Sequence, residues 1–227
     1  MLARERALEI ALGEAAMHVH ETGTNTGPRI VEYQHSTSLG GTGWPWCDAF
    51  CDYCFAEAGR PLDELERSAG VDRTFALAKQ HGWLVTSPQR GDLVCFQWDS
   101  GPLDHIGLVV QPMPDGSIKT VEGNTSAMAG TGHAQGEGDG VFVKIRPRSV
   151  CAAFIRVPGN VPDPKPKPGF DDWAKWVRGG KKGKRPDVPE QIPRAWWAKL
   201  SDDIKPAKDS HPPAHTTKKP AHAGAGH

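Results

Sequence analysis

Three cysteines stand close together in the segment from Gly43 to Cys54, at positions 47, 51 and 54. The residues from Trp46 to Ala58 are predicted to form a helix, because Pro45 suits a helix start and Gly59 suits a left-handed stop. Cys47 then lies just inside the helix N-terminus, where unpaired amide N–H groups and the helix dipole stabilise a thiolate. This position predicts Cys47 as a nucleophile whose pKa is lowered.

A cysteine nucleophile needs a base to manage its proton, and the base needs a third group to hold its ring. His105 opens a predicted strand, and Glu122 and Asn124 end the next one. Adjacent antiparallel strands put such side chains side by side, and residues two apart point to one face. We expect Cys47, His105 and either Glu122 or Asn124 to form a catalytic unit. The remaining one of the two would bind substrate or shape an oxyanion site.

The same cysteines allow two other interpretations. The spacing C-x3-C-x2-C of Cys47, Cys51 and Cys54 can ligate a [4Fe-4S] cluster, as in radical S-adenosylmethionine enzymes. The alternating strands and helices of those enzymes are absent from the predicted elements. Alternatively, the thiols are small apolar core residues. We expect this of Cys51 and Cys54, which share a helical face, and of Cys95 and Cys151, which lie in or beside a predicted strand.

The elements that must position these residues follow from hydrophobic periodicity. Apolar residues recur with a 3.6-residue period over residues 3–19, which predicts a helix, and a shorter helix is predicted over residues 73–81. From Gly91 onward the period changes to two, and five runs are predicted as strands: Gly91–Trp98, His105–Gln111, Ser117–Gly123, Val141–Arg146 and Ala152–Val157. Helices followed by strands predict an α+β domain with an antiparallel sheet. The Gly-rich stretch 127–140 is predicted to be a mobile loop.

Composition divides the chain into two parts. The 227 residues carry no formal net charge, but residues 1–159 hold 13 basic and 19 acidic side chains, against 14 and 8 in residues 160–227. The second part also holds 11 of the 20 prolines and few aliphatic residues, so it buries too little apolar area to offset its ordering entropy. We predict one catalytic domain over 1–159, a Pro/Lys linker over 160–169, a Trp-rich basic segment with short helices over 170–204, and a disordered tail over 205–227.

Several classes of protein are not indicated. No apolar run is long enough to span a bilayer, and charged residues interrupt the N-terminus where a signal peptide needs an apolar stretch. We therefore expect synthesis in a cytoplasm, free thiols and no membrane partner. The histidines show no metal-ligand spacing and the segment before Cys47 lacks the alternating Asp residues of a calcium loop. No metal and no cofactor are predicted.

Taken in order, the motifs resemble those of the CHAP domain, the cysteine, histidine-dependent amidohydrolase/peptidase family of bacteriophage endolysins and bacterial wall hydrolases. The resemblance runs from about Leu8 to Pro158. It rests on NTGPRIVEY (25–33), GWPWCDAFCDYCFAEAG (43–59), RGDLVCF (90–96), DHIGLVV (104–110), VEGN (121–124) and GVFVKIR (140–146). The family often has Ala or Val where Asp48 and Cys51 stand here.

The resemblance implies a papain-like fold with N-terminal helices packed on an antiparallel sheet. It assigns Cys47 as nucleophile, His105 as general base and acid, Glu122 as the residue that orients His105, and Asn124 as an additional polar site residue. It also implies hydrolysis of an amide in peptidoglycan through a thioester acyl-enzyme. The enzyme would be either an N-acetylmuramoyl-L-alanine amidase or a peptide endopeptidase, and the motifs do not separate the two.

An open groove is expected, because peptide stems are flexible and polar. Trp44, Trp46 and Trp98 are candidates to line it, and packing around the sheet is the alternative for each. The basic segment, with Lys181–Arg185 and its Trp pairs, is predicted to bind anionic wall polymers; nucleic acid is a formal alternative that we do not favour.

The leading hypothesis is a monomeric phage or prophage lysin. It would accumulate in the host cytoplasm and reach the wall after membrane permeabilisation. The rival hypotheses are a non-catalytic wall-binding or virion structural module and the iron–sulfur enzyme.

Overall fold

The computed structural model describes residues 1–127 and 138–162. Most of the predicted loop over 127–140 lies outside the described residues. So do the Trp-rich basic segment, the tail and all but the first residues of the predicted linker. The backbone of Met1 to Ala3 bonds to that of Gly159 and Val161, which ties both ends of the described chain together. The domain therefore continues to Val161, two residues beyond the predicted boundary.

Four helices precede the sheet: α1 (Ala3–Ala16), α2 (Pro28–His35), α3 (Cys47–Glu57) and α4 (Val71–Gln80). Three agree with the predicted helices, although α1 ends earlier than predicted because His18 adopts a left-handed backbone with φ of 52°. The sequence prediction missed α2. Glu14 of α1 holds this short helix by accepting hydrogen bonds from Arg29 and, at 2.6 Å, from the hydroxyl of Tyr33.

Six antiparallel strands form one sheet in the order β1-β6-β2-β3-β4-β5. The strands are β1 (Leu84–Val85), β2 (Leu93–Phe96), β3 (His105–Pro112), β4 (Ile118–Thr125), β5 (Gly140–Arg146) and β6 (Cys151–Ile155). Five of them match the predicted runs, and only the two-residue β1 was not predicted. The α+β class with an antiparallel sheet is confirmed.

The sheet buries apolar side chains on both faces, because residues alternate along each strand. In β2, Leu93 and Cys95 pack with the helices in the larger core, whereas Val94 and Phe96 belong to a second cluster on the other face. Helix α3 packs on β3 and β4 and is covered by α1 and α2. Within residues 1–127 and 138–162, none of the helices combines the length and the apolar character needed to cross a bilayer.

Candidate active site

The N-terminus of α3 rests directly on β4, at Gly123. A Cβ atom at this position would stand 2.6 Å from Cγ of Phe50 and 2.7 Å from Cζ3 of Trp46. Such distances are shorter than real carbon contacts, so only glycine allows the helix to approach the strand this closely. The approach brings Cys47, the first residue of α3, to the ends of β3 and β4 where the predicted partners stand.

Cys47 is buried beside the start of β3. Its sulfur is approached by the backbone N–H groups of Asp48, Ile106 and Cys47 itself, and Ile106 directly follows His105. These amides favour the thiolate, as predicted for a helix N-terminus. Burial, reinforced by the neighbouring Asp48 carboxylate, outweighs them and raises the pKa of Cys47 to about 12. The prediction of a lowered pKa is therefore wrong for the resting protein, in which Cys47 is a neutral thiol at neutral pH.

The imidazole of His105 contacts two aromatic rings at the start of β3. The ring of Phe96, its partner on β2, stacks on it at 5.7 Å between centroids, and the ring of Trp98 lies at 5.9 Å. Nε2 of His105 lies 3.1 Å from Oε2 of Glu122. Of the two candidate orienting residues, Glu122 is the one that contacts the imidazole.

Glu122 is fully buried and accepts hydrogen bonds from three side chains. Arg146 donates from Nε to Oε1 at 2.9 Å and from Nη2 to Oε2 at 2.5 Å, and the hydroxyl of Thr120 donates to Oε1 at 2.5 Å. Burial alone would raise the pKa of Glu122, but the charge and hydrogen bonds of Arg146 and the bond to His105 prevail and lower it. Glu122 is therefore an ionised acceptor at neutral pH.

The ionised carboxylate determines which nitrogen of His105 carries the proton. A carboxylate can only accept, so Nε2 must be the donor in the bond to Glu122. Neutral His105 then carries its proton on Nε2 and keeps a lone pair on Nδ1. Nδ1 is thus the ring nitrogen that can take a proton from the Cys47 thiol.

Gly107 makes room for this carboxylate. A Cβ atom at Gly107 would stand 2.6 Å from Cγ of Glu122, so any side chain there would displace Glu122 from His105. The glycine in HIGLVV is consequently required by a close approach within the site.

Asn124 occupies an irregular position at the end of β4. The β4–β5 register shifts between Glu122 and Thr125, and Asn124 has a left-handed backbone with φ of 53°. Such a bulge interrupts the regular alternation of side chains along β4, so alternation alone does not determine which face Asn124 occupies. Asn124 is 4% exposed, and neither polar atom of its side chain has a hydrogen-bond partner within the part of the chain that the structure describes.

Comparison with known proteins adds a family assignment to this geometry. Residues 39–124 match the CHAP domain family. The CHAP domain expected from the sequence motifs is thereby confirmed over this stretch, which contains Cys47, His105, Glu122 and Asn124. The match implies peptidoglycan amidase or peptidase activity in general. No curated protein and no solved structure matches the chain significantly.

The three tryptophans predicted to line a groove in the CHAP domain have different surroundings. Trp46 is fully buried, packs on Tyr33 and donates from Nε1 to Glu21 at 2.8 Å, so the prediction of a substrate contact is wrong for this residue. Trp44 and Trp98 are both half-buried. Trp98 contacts the imidazole of His105, whereas Trp44 donates to the carbonyl of Gly40 at 3.3 Å.

The remaining cysteines pack as predicted. Cys51 and Cys54 are fully buried in the helical core, and Cys95 and Cys151 are buried in the sheet. All five cysteines are free thiols. Among residues 1–127 and 138–162, no three His, Cys, Asp or Glu side chains form a group suited to a metal ion.

Sequence reasoning missed four residues that shape this site: Arg146, Thr120, Gly107 and Gly123. The two glycines lie inside the motifs that carried the family resemblance, so their position in β-strands, where glycine is unfavourable, was a usable signal. Thr120 lies two residues before Glu122 in β4, which is one period of strand alternation. Arg146 lies beyond the matched stretch, and no local pattern relates it to Glu122.

Proposed function

We propose that this protein is a peptidoglycan hydrolase that uses Cys47 as nucleophile and His105 as general base and acid. The bond cleaved is an amide of the wall peptide. It is either the link between muramic acid and L-alanine or a peptide bond in the stem or bridge. The observation that carries the proposal is the buried Glu122–His105 pair, which leaves Nδ1 of His105 as a proton acceptor; the next residue, Ile106, bonds the Cys47 sulfur through its backbone N–H.

The first half-reaction forms a thioester. The proton of the Cys47 thiol passes to Nδ1 of His105 as the sulfur attacks the amide carbon, and the carbon–nitrogen bond then breaks. The departing amine takes the proton from His105. Because burial disfavours a free thiolate, proton transfer coupled to attack fits this site better than a preformed ion pair.

The second half-reaction restores the enzyme. Water gives a proton to His105 and attacks the thioester carbon, the carbon–sulfur bond breaks, and the thiol regains its proton. In both halves, the oxyanion faces the N–H groups at the start of α3, which already point at the sulfur. Glu122 stabilises the imidazolium that forms in between.

Asn124 is proposed to contact the substrate. An unpaired buried amide is costly, and a peptide group in the site would supply both its missing donor and its missing acceptor. This role also explains why Asn124 does not hold the imidazole.

Digestion of purified peptidoglycan, followed by mass spectrometry of the products, tests the proposal. An amidase releases the amino group of L-alanine and leaves a free lactyl carboxylate, whereas an endopeptidase releases an amino group within the stem or bridge. Cys47→Ala should abolish product formation and leave wall binding intact. Cys54→Ala is the matched control, because it removes a buried thiol from the same helix, and it should still yield product.

Two results oppose the proposal. Equal product from the wild type and Cys47→Ala would assign the chemistry to other residues. No product from any variant on walls of several compositions would favour a non-catalytic wall-binding module.

The basic segment is a separate proposal about wall attachment. The excess of basic side chains beyond residue 159 supports attraction to anionic wall polymers. A chain truncated after residue 162 should pellet less with walls at low salt, and the difference from the full chain should vanish at high salt. Unchanged pelleting would refute this role.

A further inference from the structure

Arg146 contacts Glu122, the residue that bonds the imidazole of His105. It is 7% exposed and binds both oxygens of Glu122 through two different nitrogens, Nε and Nη2. A guanidinium that binds a carboxylate through two parallel bonds fixes the plane of that carboxylate as well as its distance. The plane matters here because Oε2 is the oxygen that His105 contacts.

The guanidinium also touches the two aromatic rings that contact the imidazole. Its central carbon lies 5.6 Å from the centroid of Phe96 and 5.5 Å from that of Trp98. The same two rings contact His105 at 5.7 and 5.9 Å. Arg146 is therefore connected to His105 through two sets of contacts, one with Glu122 and one with the aromatic rings.

We propose that Arg146 is a positioning residue: it holds Glu122 and the Phe96–Trp98 rings so that His105 presents Nδ1 to Cys47. The proposal rests on the function proposed above. Arg146 itself touches neither the thiol nor the imidazole, so its effect on the chemistry passes through those contacts. Lysine cannot replace it, because an ammonium is a point charge without the planar fork.

The competing explanation is that Arg146 only neutralises a buried carboxylate and thereby stabilises the fold. The chain offers a matched control for this. Arg156 also binds a fully buried carboxylate, that of Asp92, through Nε at 3.0 Å and Nη2 at 2.7 Å. That pair lies at the other end of β2 and makes no contact with His105 in the described chain.

The experiment compares Arg146→Lys and Arg146→Met with Arg156→Lys and Arg156→Met in the full chain. One readout is kcat and KM on purified walls. The other is the ¹⁵N chemical shifts of the His105 ring, which report its tautomer without substrate. We expect kcat to fall about 10-fold for Arg146→Lys and about 100-fold for Arg146→Met, with little change in KM, as misplacement of a catalytic group produces. The His105 ring should lose its uniform Nε2–H tautomer in both.

The Arg156 variants should lower the unfolding midpoint and leave kcat and the tautomer unchanged. Adding Arg146→Met to Glu122→Gln should cost less than the product of the single effects, because both act on one contact. Folded Arg146 variants with wild-type kcat and tautomer would overturn the proposal, as would equal effects from the Arg156 variants. If Arg146→Met does not fold, Arg146→Lys decides by the same readouts. A tautomer change in a protein without wall activity would uphold the positioning role and reject the proposed function.

Discussion

Two fully buried carboxylates, each paired with an arginine, lie toward opposite ends of β2. At the anchor end, Asp92 accepts two hydrogen bonds from Arg156 and one from the backbone N–H of Gln89, and it also forms an ion pair with Arg4. At the site end, Glu122 accepts two from Arg146, one from Thr120 and one from His105. Both carboxylates are fully buried and are held by a planar fork.

The two ends differ in the kinds of donor that the carboxylates meet. Every group that bonds Asp92 is an arginine or a backbone amide, and neither changes its protonation near neutral pH. Glu122 has an imidazole among its donors, and imidazole is the side chain that most often acts as a general acid or base in enzymes. The same arrangement is therefore structural at the anchor end, and at the site end it controls a group capable of acid–base chemistry.

The largest expected effect separates the two ends directly. His105→Ala should lower kcat for wall cleavage at least about 1,000-fold, as loss of a triad member does. Asp92→Asn should leave kcat unchanged and lower the free energy of unfolding by about 3 kcal/mol, because it leaves two arginines without their carboxylate. Turbidity loss of walls and urea unfolding measure the two quantities. A large loss of kcat in folded Asp92→Asn would contradict the claim that the Asp92 pair has only a structural role.

Glu122→Gln should lower both kcat and the free energy of unfolding. We expect kcat to fall about 100-fold because the imidazole loses its carboxylate. We also expect a loss of about 3 kcal/mol in stability at pH 7, because Arg146 is left unpaired. Since the pKa of Glu122 in the folded protein is lowered below its usual 4.5, its stabilisation is complete above that pH and is lost as the pH falls below it.

Urea unfolding of wild type and Glu122→Gln between pH 7 and pH 3 measures this dependence. The difference in stability between the two proteins should shrink toward acid pH. A difference that stays constant would mean that Glu122 is not held as an ion.

Asp48→Asn tests the buried carboxyl group that follows Cys47 in α3. Burial raises the pKa of Asp48 to about 7, against a hydrogen bond from Thr74 that lowers it. The folded protein then retains a proton that the unfolded chain loses above about 4, so the wild type loses stability as the pH rises from about 4 to about 7. Asparagine removes this loss and keeps an acceptor for Thr74. Its gain in unfolding free energy should be a few kcal/mol at pH 8 and small at pH 4.

Equal pH dependence in the two proteins would contradict this assignment for Asp48. The matched variant is Asp72→Asn, which removes an exposed carboxylate from the first turn of α4 and should give no comparable gain in stability at pH 8.

The smallest effect is expected for Thr120→Val, which removes only the hydroxyl donor to Glu122. A buried hydrogen bond of this kind contributes about 1 kcal/mol, so kcat should fall by about fivefold, with KM unchanged. Thr74→Val is a control of equal chemistry that removes the donor to Asp48. An effect of Thr120→Val as large as that of Glu122→Gln would mean that the hydroxyl, and not Arg146, holds the carboxylate.

Local patterns in the sequence predicted most of the fold. Helix α3 and strand β3 each have a clear period and a marked start, so the sequence placed Cys47 in the first turn of α3 and His105 at the first residue of β3. Helix α2 was missed because only eight residues form it, and its stability depends on the tertiary contacts of Arg29 and Tyr33 with Glu14. Such contacts produce no periodic pattern in the sequence.

The site was predictable in its residues and less so in its energetics. The choice between Glu122 and Asn124 depended on a contact with His105 beside a bulge in β4. The sequence contains no pattern that marks this bulge. The pKa of Cys47 depended on two opposing effects. The helix N-terminus is visible in the sequence, whereas the degree of burial and the approach of Asp48 come from packing. Arg146 escaped notice for the same reason, since only the folded sheet brings it to Glu122.

The central claim is that Cys47 attacks the wall amide and carries the acyl group. Wall digestion in the presence of hydroxylamine tests it most directly, because hydroxylamine intercepts a thioester and leaves a hydroxamate at the new acyl end. The wild type should yield hydroxamate in proportion to the hydroxylamine added, and Cys47→Ala should yield neither hydroxamate nor carboxylate. Carboxylate products alone at every hydroxylamine concentration, formed equally by Cys47→Ala, would contradict the account.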